Sequence, residues 1–258
     1  MVEPTARIRP FKAEDEKLAK FTIAKANMEG LTTANTKSWL HPLTLSIWVA
    51  LSCIWIQYMQ WWPNASIGYL SYLKPLPAFA SLAVPILALV DWINRPHFEK
   101  VLQMVLRKPD MRDLAGYYAR TPSSGFWLLE YGDNIVGLIA VDASLDSDSS
   151  PDTKKKNSQP VSSTAVITHF SVDEKYRSTG VQDDLLTYAV RHAFASSPTV
   201  QRVEGIDDPL VEFTGPCYTA AGFKTESVLE PIGVFKWRPR KRVLERSAWE
   251  EREAAASR

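Results

Sequence analysis

One stretch of the sequence decides the predicted fold: Val166-Ile-Thr-His-Phe-Ser-Val-Asp-Glu-Lys-Tyr-Arg-Ser-Thr-Gly-Val-Gln-Asp-Asp-Leu-Leu186. Its alternating first part predicts a strand over residues 164–172, and apolar residues at helical spacing predict a helix over residues 181–195. The polar turn between them contains Arg177 and Gly180. A strand, a glycine turn and a helix in this order collect backbone N–H groups at a helix N-terminus, and such a pocket suits a phosphate or diphosphate.

Composition and charge set the outer limits. The 258-residue chain is long enough for one sizeable core, or for one domain that carries an insertion. The formal net charge is +1, so no nucleic-acid partner is expected. Cys53 and Cys217 are the two cysteines, and they provide neither a disulfide framework nor a zinc-binding spacing, so no metal is expected. The N-terminal residues lack the apolar stretch of a cleavable signal peptide, and none is predicted.

Residues 38–94 differ from the rest of the chain, because no Lys, Arg, Asp or Glu occurs between Lys37 and Lys74. The first apolar run, PLTLSIWVALSCIWIQYMQWW from Pro42 to Trp62, has the length needed to cross the hydrocarbon core of a bilayer. A second run over residues 76–90 is shorter. We therefore predict a transmembrane helical hairpin over residues 38–94, with the lipid bilayer as a partner.

Two alternatives to a spanning hairpin remain open. Both runs could form a buried hairpin in a soluble core, and the second could be re-entrant because Pro85 favours a kink. Aromatic residues at the run ends favour the bilayer, since such residues concentrate at membrane–water interfaces. They are Trp61, Trp62, Tyr69, Tyr72 and Trp92.

Cations flank the hairpin on both sides, whereas the connecting loop over residues 63–75 contains only Lys74. The positive-inside rule therefore predicts that both ends of the hairpin face the cytosol. The flanking cations are Arg7, Arg9, Lys12, Lys17, Lys20, Lys25 and Lys37 before it, and Arg95, Lys100, Arg107, Lys108 and Arg112 after it.

The segments on either side of the hairpin are predicted to form one interrupted domain of alternating strands and helices. Strands are expected over residues 7–11, 164–172 and 201–206, and β-hairpins over 126–141 and 223–237. Helices are expected over 13–28, 97–106, 111–119, 181–195 and 213–221.

Two segments have compositions that predict no packed core. Residues 144–163 are rich in Ser, Asp and Lys and poor in hydrophobes, so we expect a disordered loop. Residues 239–258 are expected to form a charged, helical C-terminal tail, which either lies on an anionic membrane surface or is solvated. The predicted division is 1–37, 38–94, 95–238 and 239–258.

Four local motifs, in this order, resemble the GNAT superfamily of acyl-CoA-dependent N-acetyltransferases. Phe126 to Val141 resembles the hairpin of that fold's second and third strands. Phe170-Ser-Val172 followed by Arg177-Ser-Thr-Gly-Val-Gln182 resembles its acyl-CoA signature, Arg/Gln-x-x-Gly-x-Gly/Ala. Leu185 and Leu186 match the packing face of the following helix, and Tyr218-Thr-Ala-Ala-Gly-Phe223 resembles the Tyr-x-x-x-Gly-Phe motif. The resemblance implies an α/β fold with a mixed, mostly antiparallel sheet flanked by helices.

A closer resemblance is to the camello-like, membrane-bound N-acetyltransferases of the endoplasmic reticulum. These proteins interrupt the fold with an apolar hairpin after the first helix. Asp110-Met-Arg-Asp-Leu114, Tyr118, Phe126-Trp127 and His169-Phe-Ser-Val-Asp173 match their motifs. The resemblance implies an enzyme of the endoplasmic reticulum membrane that uses acetyl-CoA to acylate a primary amine on a small molecule or a peptide.

The resemblance also assigns roles to individual residues. The cofactor-binding residues would be Phe170, Ser171, Val172, Arg177, Ser178, Thr179, Gly180, Val181 and Gln182. The turn would supply N–H donors to the diphosphate, and the pantetheine arm would pair with residues 170–172 like an extra strand, where residues 201–206 splay away. Tyr218 would return a proton to the leaving thiolate, although it could instead only pack the helix onto the core.

The general base is less well defined by the sequence. His169 is the candidate, because an imidazole titrates near neutral pH and can accept an ammonium proton. Strand alternation predicts that it faces away from Thr168 and Phe170, so a structural role stays open. Glu204 and Asp207 are weaker candidates.

Two positions of the turn depart from the signature. Gln182 replaces Gly or Ala, and Ser178 stands where glycine is frequent. The alternative function is therefore a catalytically degenerate acyltransferase fold that acts as a chaperone or packaging factor for other membrane proteins.

Overall fold

The computed structural model describes residues 6–63, 68–132, 134–144 and 161–256. Seven strands form one sheet in the order β1-β2-β3-β4-β5-β7-β6. All neighbours are antiparallel except β4 and β5, which run parallel. This confirms the predicted mixed, mostly antiparallel sheet. The strands are β1 Ala6–Pro10, β2 Gly125–Tyr131, β3 Asn134–Ser144, β4 Val161–Val172, β5 Arg202–Asp207, β6 Lys224–Val228 and β7 Arg240–Glu245.

Helices cover both faces of the sheet. They are α1 Glu16–Trp39, α2 Pro42–Met59, α3 Leu76–Leu106, α4 Leu114–Tyr118, α5 Val181–Ser196, α6 Thr214–Ala220 and α7 Arg246–Ala256. The larger apolar core includes Leu186 of α5, Cys217 of α6 and Trp249 of α7. A second core on the opposite face includes Ile23 of α1 and Leu114 of α4. Strand β4 lies between these two layers, so each of its faces has a different set of neighbours.

The predicted hairpin consists of α2 and α3. By length and composition, α2 and the helical segment Tyr69–Leu106 are each apolar enough to cross a membrane. The most apolar 18-residue stretch of α2 is 11% buried within the structure, and that of the segment Tyr69–Leu106 is 6% buried. Neither stretch therefore belongs to a buried core. Helix α3 continues through Pro85 and Pro96. Residues 97–106 therefore extend α3 and do not form the separate helix that was expected.

Contacts between α1 and α3 join the base of the hairpin to the domain. The Asn35 amide donates to Asp91 Oδ1 at 2.7 Å, and the Asn94 amide donates to Asn35 Oδ1 at 3.0 Å. The ring of Phe98 lies so close to Gly30 that an added Cβ would be 3.0 Å from it. Helix α3 thus carries apolar hairpin residues and domain contacts on one continuous element.

The C-terminal segment differs from the prediction. Residues 240–245 form β7, which lies between β5 and β6, whereas a last hairpin over 223–237 and a helical tail from residue 239 were expected. The charge of this segment obscured the strand. Its cations are neutralised by acidic neighbours: Lys241 pairs with Glu204 and Glu226, and Arg242 pairs with Asp207.

Most of the loop predicted to be disordered, residues 145–160, lies outside the described residues. Its ends were placed wrongly. Ser144 ends β3, and residues 161–163 begin β4, where Ser144 pairs with Val161. The central parts of both strands dominate the hydrophobic pattern, so their polar ends could not be recognised.

Candidate active site

A β-bulge in β4 decides where His169 points. Ala140 of β3 pairs with His169 and the next residue, Val141, pairs with Ile167, so Thr168 is an extra residue in the strand. The bulge reverses the alternation: Ile167 and Phe170 both face the core under α5, while Thr168 and His169 both face α4. The prediction that His169 and Thr168 face opposite sides was therefore wrong.

His169 belongs to a buried hydrogen-bonded network, which we call the Asp110 network. Its Nε2 lies 2.7 Å from Asp110 Oδ2, and the Tyr118 hydroxyl donates to the same oxygen at 2.9 Å. The backbone N–H of Met111 donates to Asp110 Oδ1 at 2.9 Å, and the hydroxyls of Tyr118 and Thr168 are 2.7 Å apart. Asp110, Tyr118 and His169 are all buried. The network is thus shielded from solvent.

The protonation states in the Asp110 network follow from its contacts. Burial opposes ionisation of Asp110, but the hydrogen bond and charge of His169 outweigh it, so the pKa of Asp110 is held below its ordinary value. Burial, reinforced by the nearby Asp110 charge, raises the pKa of Tyr118 well above its usual range. An ionised Asp110 only accepts hydrogen bonds, so Tyr118 and His169 Nε2 both carry a proton. In the neutral imidazole, Nδ1 then holds the free electron pair.

Strands β4 and β5 separate towards their C-terminal ends. Only Thr164, Ala165 and Val166 of β4 pair with β5, opposite Arg202, Val203 and Glu204. Beyond this point β4 continues to Val172 and pairs with β3 alone among the described residues. The edge of β4 that includes Phe170, Ser171 and Val172 is therefore open towards β5. An extended chain with amide groups can pair with such an edge.

Tyr218 lies beside this opening, on the face of the sheet opposite the Asp110 network. Its ring packs against Phe170 of β4 and Phe223, with ring centroids 6.0 and 5.0 Å apart. Its hydroxyl lies against Gly205 of β5, where a Cβ would be only 2.6 Å away. Burial raises the pKa of Tyr218 far above its ordinary value, so the hydroxyl stays protonated at neutral pH. A protonated hydroxyl at this position suits a proton donor.

Cys217, the neighbour of Tyr218, is unsuited to be a nucleophile. It is 3% exposed, and its thiol donates to the Gln182 carbonyl at 3.6 Å. Burial raises the pKa of the Cys217 thiol well above its usual range, whereas a reactive cysteine needs a lowered one.

Arg177 leaves β4 through a turn and reaches helix α1. Its guanidinium makes a two-pronged ion pair with Glu29, with Nη2 2.7 Å from Oε2, and its Nε donates to the Val172 carbonyl at 2.8 Å. It also lies over the Phe213 ring at 4.5 Å. The charge that was expected to face a diphosphate is thus paired with a carboxylate. Nothing in the sequence indicated Glu29 as its partner.

The rest of the turn forms the start of α5. Ser178 and Thr179 lie in a 3-10 turn, and Gly180, with φ of 79°, precedes the first helical residue, Val181. Glycine adopts this left-handed conformation without strain. The N–H groups of Val181 and Gln182 are in the first helical turn, where the helix itself offers no acceptor. These two donors fit a phosphate oxygen.

Two features of the same turn oppose an anion. Gln182 Oε1 is buried and has no hydrogen-bond donor among the described residues. Asp183 and Asp184 add two carboxylates to the first turn of α5, where they stabilise the helix dipole and repel a phosphate.

The other candidate bases are engaged in ion pairs. Glu204 pairs with Arg202 and Lys241, and Asp207 pairs with Arg242 at 2.7 Å. Neither carboxylate is therefore free to act as a base, and the role of His169 stays a prediction. Asp110 and Tyr118 were part of a quoted motif, but no sequence signal showed that Asp110 contacts a histidine 59 positions away. Within the part of the chain that the structure describes, no group of three His, Cys, Asp or Glu side chains could hold a metal.

The sequence of this chain is similar to one family of known proteins. The family model of the Acetyltransferase (GNAT) family matches residues 86–210, just under half of the chain. Together with the seven-stranded sheet, it supports the GNAT-like fold and the assignment to the GNAT acetyltransferase superfamily. No curated protein matches the sequence.

Solved structures with a similar fold have little sequence in common with this chain. A GNAT-family acetyltransferase from Streptococcus pneumoniae is 11% identical, with a TM-score of 0.47 over 93% of this chain and 99% of its own. The ribosomal-protein-S5-alanine acetyltransferase from Vibrio fischeri is 12% identical, with a TM-score of 0.43 over 95% of this chain and 94% of its own.

Proposed function

We propose that this chain is a membrane-anchored N-acetyltransferase that transfers an acetyl group from acetyl-CoA to a primary amine by direct attack. The observation that carries the proposal is the Asp110 network next to the open edge of β4. It holds a histidine with a defined tautomer on one face of the strand, while Tyr218 lies on the other. A base and an acid on either side of a thioester are what this reaction requires.

The residues of the opening fit acetyl-CoA in part. The open edge at Phe170, Ser171 and Val172 suits the amides of the pantetheine arm, with the Val172 carbonyl already accepting from Arg177 Nε. The N–H groups of Val181 and Gln182 suit the diphosphate. The Gln182 side chain and the pairing of Arg177 with Glu29 do not help to bind it. We therefore propose that binding is accompanied by rearrangement of this turn.

The steps assigned to this chain are two proton transfers. Acetyl-CoA supplies an activated thioester carbonyl, to which the amine nitrogen forms a bond as the carbon–sulfur bond breaks. His169 Nδ1 accepts the proton that the amine loses, while Asp110 holds the imidazole by its Nε2–H. The Tyr218 hydroxyl donates its proton to the leaving sulfur. Cys217 takes no part, because a buried, protonated thiol is a poor nucleophile.

The test is a binding and turnover measurement on the full chain, purified in detergent. Acetyl-CoA is titrated calorimetrically, and acetylation is followed with a polyamine, a lysine-containing peptide and a peptide with a free N-terminus. Tyr218→Phe should keep acetyl-CoA binding while lowering kcat by about 10- to 100-fold. Tyr188→Phe, an exposed tyrosine on α5, is the matched control. Absence of heat at millimolar acetyl-CoA, together with absence of acetylated product, would overturn the proposal.

We further propose that α2 and α3 anchor the protein in the endoplasmic reticulum membrane with the domain in the cytosol. The support is the outward-facing apolar surface of both helices and the cations that flank them. After expression in microsomes, the protein should stay in the pellet on alkaline carbonate extraction, and external protease should digest the domain. Release into the supernatant, or protection of the domain, would contradict this topology.

One set of observations favours a second function. The ion pair of Arg177 with Glu29, the buried Gln182 oxygen and the two carboxylates at the start of α5 are what a turn that has lost its diphosphate would show. The chain would then serve other membrane proteins as a chaperone or packaging factor. This alternative predicts that membrane proteins co-purify with wild type and with His169→Gln equally, and that acetyl-CoA does not bind. Loss of a measured acetylation activity in a folded Tyr218→Phe variant would exclude it.

A further inference from the structure

The segment between β6 and β7, residues 229–239, packs against the base of the apolar hairpin. The Phe235 ring stacks on His41, the residue that caps the N-terminus of α2, with ring centroids 4.1 Å apart. Gly233 lies beside Asn94 of α3, where a Cβ would be 3.7 Å from the Asn94 amide oxygen. Ile232 and Trp237 pack on Phe98 and Leu210. We call residues 229–239, together with Arg240 at the start of β7, the hairpin-base loop.

The hairpin-base loop is rich in cations without partners. Lys236, Arg238 and Arg240 are exposed, and none of their side chains forms an ion pair or hydrogen bond with any residue in the described ranges. Arg238 and Arg240 line a cleft of about 390 Å³ together with Arg242. Val234 is 52% exposed beside them. Exposed apolar and cationic side chains on one loop are typical of a surface that lies on a bilayer.

The carboxylates around this cleft do not cancel its charge. Asp207 is paired with Arg242, and Glu212 is paired with Lys37 at 3.1 Å. Burial raises the pKa of Asp208, whose Oδ1 accepts the Leu210 N–H at 2.9 Å. Arg238 and Arg240 in the cleft, with Lys236 outside it, therefore remain available to an external anion.

The position of the loop indicates the source of that anion. Lys37, which also donates to the Pro209 carbonyl at 2.9 Å, lies five residues before Pro42, the first residue of α2. At a rise of about 1.5 Å per residue, five residues span roughly 8 Å. Lys37 and the cleft beside it therefore lie within reach of the headgroup layer above the hydrocarbon core.

We infer that the hairpin-base loop binds the phosphates of anionic lipid headgroups through Lys236, Arg238 and Arg240. The inference rests on the proposed membrane insertion of α2 and α3, and it is independent of acetyl transfer. Each exposed cation near an anionic bilayer strengthens the attraction, and salt weakens it. Arg238 and Arg240 line the same cleft as Gly215 and Pro216 of α6. Because the loop is packed on the domain in this way, its contacts with lipid would set the distance between the domain and the bilayer.

The experiment compares hydrogen exchange of the full chain in nanodiscs of phosphatidylcholine alone and in discs that contain about a third phosphatidylserine. We expect amide exchange over residues 234–240 to be at least about fivefold slower in the anionic discs. The double variant Arg238→Gln/Arg240→Gln should remove this difference. Lys224→Gln, an exposed cation at the far end of β6, is the matched control and should keep it.

The possible outcomes separate the inference from the proposal on which it rests. Protection of α2 in both kinds of disc, with no difference in the loop between them, would overturn the inference alone. An unprotected α2 would overturn the membrane insertion as well. If inorganic phosphate in neutral discs slows exchange as much as the anionic lipid does, the loop is a site for free phosphate and the lipid assignment is wrong.

Discussion

The Asp110 network on the α4 side of β4 and the turn that follows β4 differ in how completely their polar groups are satisfied. On the α4 side, both oxygens of Asp110 have hydrogen-bond partners, one of which is His169 Nε2. In the turn after the strand, Arg177 is paired with Glu29, and Gln182 Oε1 is buried without a donor. If the proposed function holds, the difference means that the proposed proton-transfer groups are in place before any ligand binds, whereas the turn proposed to bind the diphosphate has to rearrange.

The largest expected effect tests whether His169 is the base. We expect His169→Gln to lower kcat/KM for acetylation by about 100-fold or more, because the amide can still donate to Asp110 but cannot accept a proton. The measurement is the initial rate of product formation at saturating acetyl-CoA. His192→Gln, on α5 against the Trp127 ring, is the control and should behave like wild type. A wild-type rate in His169→Gln would give His169 a structural role only.

A second test addresses the stability of the Asp110 network. Asp110→Asn should lower the free energy of unfolding at pH 7 by about 1–3 kcal/mol, since it replaces an acceptor of three hydrogen bonds by an amide. The pKa of Asp110 is lowered in the folded protein, so its contribution is present above the ordinary value of 3.8 and is lost as the pH falls through the folded pKa. The difference between wild type and variant should therefore shrink below about pH 4.

Denaturant unfolding in detergent, followed by tryptophan fluorescence between pH 7 and pH 3, measures this difference. Glu251→Gln, an exposed carboxylate on α7, is the control and should have little effect. A difference that stays constant, or grows, on acidification would contradict the assignment of an ionised Asp110.

The smallest expected effect concerns the turn. Gln182→Ala removes the buried oxygen without a donor and opens the approach to two free N–H groups, so acetyl-CoA should bind about fivefold to tenfold more tightly. Calorimetric titration gives the two dissociation constants. Gln201→Ala, a solvent-exposed position before β5, serves as the control. Weaker binding by Gln182→Ala would mean that its side chain bonds the ligand, and the contrast between the Asp110 network and the turn would then disappear.

Local patterns predicted the elements around the candidate site well. The stretch from Val166 to Leu186 and the Tyr218 motif carry strong apolar periodicity and a glycine turn, so β4, α5 and α6 lie within a few residues of their expected bounds. The position of Tyr218 beside the opening also follows from that order of elements. Their roles in catalysis stay predictions.

The errors arose where a distant partner decides the structure. The bulge at Thr168 reverses the orientation of His169, and nothing in the local alternation signals it. Strand β7 appears as a solvated cationic tail until Asp207, Glu204 and Glu226 are seen to neutralise it. Arg177 pairs with Glu29, which lies 148 positions away in the sequence. The prediction of an unpaired cation in the turn did not include this partner. Such contacts depend on tertiary packing, and hydrophobic periodicity and composition do not report which distant residues meet.

The continuity of α3 limits where an acceptor can be placed. Its 31 residues form one helix about 47 Å long, and its C-terminal part is clamped to α1 by Asn94 and Phe98. If α2 and α3 span a bilayer as proposed, α3 fixes the distance between that bilayer and the folded domain. The proposed enzyme would then choose amines by their distance from the membrane as much as by their chemistry, and a soluble amine and one on a short membrane-bound stem would compete on unequal terms.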